Sequence, residues 1–302
     1  MVRSQRKRPR ALCAAFLVAA AALTILGFTG SASAKLVGEY AKFQYCPFTN
    51  AEAKRCIVSV TESGEVILGK KKVPIEKPVT LQGAYTKPVE GVSTFIAATN
   101  GVTLSKAPQN VPGGLAGLVN CKEISNSLLR ISCEVTFENG LTGVNSTLEL
   151  ARPANEIKVN ETALASEEGV ALKMPVKVHL ENPFLGSSCY VGSSSSPIIW
   201  ELTAGFTHPP GPNVSIRGNG GFFEFRDEGR LLHVSENTLV DNAWSAPHAS
   251  GCGGFLVELL LDPIIDSSVG LPSAAGKNTA ILNNTIDIAS VAAVKKNNEE
   301  NP

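Results

Sequence analysis

Sixteen consecutive residues, LVDNAWSAPHASGCGG from Leu239 to Gly254, gather an acid, an amide, an indole, an imidazole, a cysteine and three glycines. Asp241 and His248, with Glu236 and His233 just upstream, offer the carboxylates and imidazoles of general acid–base or metal chemistry. Trp244 could stack on a sugar ring, so the chemistry suggested is hydrolysis of a glycan or another envelope polymer. Such a centre requires these side chains to converge, and no motif enforces convergence. The chain contains no His-Glu-x-x-His, no Gly-x-Ser-x-Gly and no glycine-rich phosphate cradle. The hydroxyl-rich GSSCYVGSSSSP reads as a loop, and 27 acids guarantee carboxylate pairs by chance. A competing reading gives each residue a structural job. Asp241-Asn242 ends a strand by bonding its own backbone, Pro247 sets a turn, and Gly251, Gly253 and Gly254 free the chain around Cys252. The stapled loop is the favoured expectation. Asp241, Glu236 and His248 are the catalytic candidates of the alternative, in which the chain is a hydrolase.

Such a loop needs sulfurs that oxidise, and the N-terminus supplies the reason. MVRSQRKRPR carries five positive charges and no negative one; an apolar run and then TGSASA follow. That order is a secretory signal over residues 1–34, with cleavage expected after Ala34 and no transmembrane helix left after cleavage. Taking the five basic residues of the leader from the 27 of the whole chain leaves 22 against 27 acids. The mature chain is therefore mildly acidic and has no basic block, which argues against a nucleic-acid partner. GKKKVP is expected to be a solvated turn or strand edge.

Cys46, Cys56, Cys121, Cys133, Cys189 and Cys252 remain after cleavage. An even number in an exported chain reads as a disulfide framework, and the spacing favours Cys46–Cys56, Cys121–Cys133 and Cys189–Cys252 among the alternatives. None shows Cys-x-x-Cys spacing, so neither a metal site nor a cofactor is expected.

Period-two alternation dominates the rest. PVKVHLENP puts Val176, Val178 and Leu180 on one face and Lys177 with His179 on the other. CIVSVTESGEVILG reads as a hairpin turning at Ser63-Gly64, and GFFEFRDEGRLLHVS as one turning at Asp227-Glu228-Gly229. VTLQGAY, VSTFIAA, ISCEVTFENG, STLELA, IIWELTAGF and GGFLVELLLD add further strands. The expected fold is all-β: an antiparallel sandwich or barrel-like sheet, disulfide-stapled, with an irregular C-terminal tail. Residues 35–270 form the β-rich domain, with two subdomains meeting near 155–165 as a further option, and 271–302 form a C-terminal segment and polar tail. The apolar stretch around Val111–Val119 is either a core-covering loop or an exposed partner patch.

ENTLVDNAWSAPHASGCGG, LVNCKEISNSLLRISCEV and VHLENPFLGSSCYVGSSSSPI together resemble a group of uncharacterised exported actinobacterial proteins with no assigned activity. The resemblance implies an extracytoplasmic location and carries no functional residues. The leading expectation is thus a secreted or envelope-associated binding or structural module, its partner an envelope component, glycan or protein. The alternatives are the hydrolase above and a subunit of a secreted fibre or surface layer.

Overall fold

Strand β1 (Arg55–Leu68) runs unbroken where the sequence suggests a hairpin. Its pairing with β14 (Thr279–Ser290) slips by one residue: Thr61 faces Asn284 and Ser63 faces Asn283, leaving Glu62 as the extra residue of a bulge. Gly64 permits the bulge. It has φ +131°, and a Cβ there would lie 2.0 Å from the Ile281 carbonyl oxygen, so a serine-glycine pair that looks like a turn is a close backbone crossing. The true turn lies at Gly69-Lys70, beyond which β2 (Lys71–Pro74) pairs back on β1 with Leu68 opposite Lys71. One extra residue also inverts the side-chain parity of the strand. Ser59 and Thr61 face the interior before the bulge, Val66 and Leu68 after it.

The computed structural model describes residues 35–114, 125–128, 130–131, 143–254 and 258–301. Its strands are antiparallel throughout and form two layers. The first runs β11 (Phe222–Arg226), β12 (Leu231–Asp241), β14, β1, β3 (Val79–Tyr85), β4 (Ser93–Ala97). β4 turns the corner: Phe95–Ala97 pair with β3, while Ser93 and Thr94 pair with β7 (Lys158–Val159). The second layer continues through β8 (Leu172–Glu181), β6 (Val144–Leu150) and β5 (Gln109–Val111). β9 (Tyr190–Val191) and β10 (Ile198–Leu202) lie along the other side of β8, and β13 (Ala249–Ser250) pairs with β9. The sheet is not closed, so the architecture is a folded-over sandwich and not a barrel. Residues near 155–165 lie at the corner joining the layers, and Ala34–Pro302 make one compact unit.

Two expected elements have a different structure. GGFLVELLLD, expected as a strand, leads into helix α2 (Glu258–Val269), which follows the short α1 (Glu161–Ser166) in chain order. An apolar run has no period of its own. Here the residues after it decide: Asp262 and Asp266 share one helical face, while Ile265 and Val269, also four apart, are buried. The tail expected to be irregular instead supplies β14, bonded to β1 and β12 on its two sides, and then helix α3 (Val291–Glu300), capped by the Ser290 hydroxyl. Alternate residues Ala280, Leu282, Asn284 and Ile286 are buried, and Asp287–Ala289 after them are buried too, a pattern that the polar Asn283, Asn284 and Asp287 obscure in the sequence.

The main core fills the space between the layers. A second apolar cluster covers the outer face of the first layer, where Tyr40, Phe43 and Val294 pack over Val58 and Leu231. The Cys46–Cys56 disulfide ties this N-terminal cover to β1. Val111 is buried, so it is no part of an exposed patch; residues 115–119, the leader, Cys121, Cys133 and most of ISCEVTFENG lie outside the described residues.

Candidate functional site

The Leu239–Gly254 stretch is built as a loop whose polar groups hold its own backbone. Asp241, at the end of β12 and 3% exposed, accepts from the backbone N–H of Glu201 at 2.7 Å and of Ala243 at 2.9 Å. Burial pushes its carboxyl above the ordinary carboxylate range, and the two backbone donors oppose that shift. Trp244 is buried edge-on to Trp200 and donates its indole N–H to the Asp241 carbonyl. The exposed His248 meets Asp266 of α2 at 2.6 Å. Asp266 also accepts from the Ala249 N–H, and Asp262, one turn earlier, accepts from those of Gly251 and Cys252. Cys252 closes a disulfide with Cys189. Glu236 sits on a separate bulge of β12, at φ +53°, with its side chain exposed. The three catalytic candidates therefore occupy three environments. Only Asp241 lines a groove, of about 610 Å³, which it shares with Glu201, Phe206, His208 and Trp244.

A polar cluster that sequence reasoning passed over lies on the outer face of the second layer. Glu149 of β6 meets Lys106 at 2.8 Å and Lys177 at 3.3 Å. Burial raises its carboxyl, and the two ammonium groups outweigh burial and hold it below its ordinary value. Lys177 lies over the Tyr190 ring, on which His179 stacks at 4.4 Å. Among the described residues no group of three or more His, Cys, Asp or Glu side chains forms a candidate metal site.

The feature that stands apart is an apolar cavity of about 100 Å³ between the two layers. Each strand sends alternate residues into it: Met174, Val178 and Leu180 from β8, then Lys71, Val73 and Ile75 along β2 and the residue after it. Three polar side chains on its wall, Thr61, Asn284 and Gln109, are matched within the protein. Thr61 donates to Asn284 at 2.7 Å, and Asn284 donates to Asn237 and to the Leu282 carbonyl. The Gln109 amide accepts from the N–H groups of Glu76 and Lys77 and donates to the carbonyls of Lys77 and Ala107. Among the described residues, two larger groups on the wall lack a partner. Trp200, 1% exposed, has no hydrogen-bond partner for its indole N–H. Among the described residues Lys71 makes no ion pair, whereas Lys72 beside it pairs with Glu65 at 2.5 Å and Lys70 donates to the Ser267 carbonyl. Burial, and after it the charge of Lys70, lower the Lys71 ammonium below its ordinary value.

GKKKVP does form the expected turn and edge, but its middle lysine faces inward. The signal was present in the spacing: Lys71 stands on the same parity as Val73 and Ile75, the one charge on an apolar face.

Fold and site together define an open, two-layered antiparallel β protein with an apolar interior cavity. The two disulfides are consistent with an extracellular location. Among the described residues no helix is long and apolar enough to cross a membrane. The chain matches no family model, no curated protein and no solved structure.

Proposed function

We propose that this protein is an exported binding module that holds an apolar small molecule between its two sheet layers. The cavity carries the reading. Close-packed interiors contain few voids larger than a water, and an apolar void of this size stays dry and accepts an apolar ligand. The signal-like leader and the cysteine framework support action outside the cytoplasm. A hydrolase has less support, because Asp241 uses both carboxylate oxygens on backbone donors and stands apart from Glu236 and His248.

Titration of the purified mature protein with the neutral dye N-phenyl-1-naphthylamine tests this. Saturable enhancement at one dye per chain is expected, and Val178→Phe, which fills the cavity from a half-buried position, should weaken it at least tenfold while cooperative unfolding persists. Fluorescence that grows without saturating, or is indifferent to Val178→Phe, would count against the reading.

One observation favours a second reading, a subunit of a surface assembly. β11 pairs only with β12 among the described residues, and it exposes Phe222 and Phe225, at 66% and 70%. An apolar edge of this kind invites strand addition. Sedimentation over a hundredfold concentration range should then show assembly that Phe222→Ser/Phe225→Ser abolishes; a monomer throughout removes this reading.

A further inference from the structure

The cavity wall is not uniformly apolar, and its one charged side chain has a direction. Lys71 is positioned by the β1–β2 turn at Gly69-Lys70, which puts Lys70 and Lys72 on the outside and Lys71 on the inner row with Val73 and Ile75. The outer two lysines are engaged, Lys72 by a carboxylate and Lys70 by a carbonyl; the inner one is not. An ammonium that is partly desolvated without a partner is costly, and an anion beside it offsets that cost. The rest of the wall offers aliphatic side chains and neutral polar groups, of which Thr61, Asn284 and Gln109 are bonded within the protein. One unmatched positive charge at an apolar cavity calls for a ligand with one negative charge and a hydrocarbon body. A phosphate would demand several more donors than the wall presents.

We propose that the interior site takes an aliphatic monocarboxylate, with its chain among Met174, Val178 and Leu180 and its carboxylate on Lys71. This rests on the apolar-binding reading above and specifies its ligand. The anion would counter the effect of burial and of Lys70 on the Lys71 ammonium and raise its affinity for a proton.

The test compares decanoate with decanol, which differ in charge but share a chain, on the mature protein and on Lys71→Met. Trp200 lines the cavity, so quenching of its fluorescence reports occupancy. Decanoate should bind the parent protein about tenfold more tightly than decanol at neutral pH, a difference of about 1.4 kcal/mol. Lys71→Met should bring decanoate down to the level of decanol and leave decanol unchanged, which also shows that the variant is folded. Equal binding of the two by the parent protein, or a decanoate preference that survives Lys71→Met, would overturn the carboxylate assignment while apolar binding stands. Binding of neither would remove the apolar-binding reading itself, and the carboxylate assignment with it.

Discussion

A chain ending at Gly270 is expected not to fold. Residues 271–302 have the composition of a tail, yet β14 is the strand that joins β1 to β12, with its backbone paired along both sides. Its loss leaves two strand edges unpaired in the middle of the first layer and strips Ala280, Leu282, Ile286, Ile288 and Ala289 from the core. Burying a large aliphatic side chain is worth about 1.5–3 kcal/mol. Three of these together are worth about 4.5–9 kcal/mol, comparable with the roughly 5–15 kcal/mol by which a domain is stable, before any hydrogen bond is counted. Circular dichroism of the truncated protein should show no cooperative thermal transition. Ending the chain at Ser290 instead removes α3 alone and spares every strand, so that protein should melt cooperatively at a lower temperature. A cooperative transition from the Gly270 truncation would contradict the central place of β14.

The next largest effect is expected at Cys189 and Cys252. Both are fully buried, and their disulfide closes a loop of 63 residues. Loop closure of that length restricts the unfolded chain by roughly 4 kcal/mol, against roughly 3 kcal/mol for the short Cys46–Cys56 loop. The bond also pins the turn whose N–H groups Asp262 receives, so α2 loses its anchorage when it is removed. Cys189→Ala/Cys252→Ala should lower the unfolding free energy in urea by about 4 kcal/mol. The melting temperature should fall by roughly 8–15 °C. A loss under about 1 kcal/mol would mean that the hydrogen bonds of Asp262 and Asp266 hold the loop without the sulfurs.

Much of the framework was legible along the chain because it is local. A strand that buries one face must alternate, as β8 does, and Asp227-Glu228-Gly229 turns the β11–β12 hairpin as its residue types demand. Nearest-neighbour cysteines pair where the short chain between them leaves little choice, as at Cys46–Cys56. The failures share a cause of another kind. Ser63-Gly64 has the composition of a turn, and only the neighbouring Ile281 carbonyl, more than two hundred residues away, makes it a bulge. The candidate site divides in the same way: the loop role of Asp241 was readable from Asx chemistry and the parity of Lys71 from its spacing, while the hollow that Lys71 lines was not.

What the amino-acid order determined alone is the pleated character of the chain, the short Cys46–Cys56 staple and most of the turns, since each depends on contacts within a dozen residues. Tertiary structure alone decided which strand is central, that the strands make two layers and not a closed barrel, and that a hollow remains between them with one unmatched ammonium on its wall. A cavity belongs to no segment. It is the space that packing between distant strands leaves unfilled, and its shape exists only when all of them are in register.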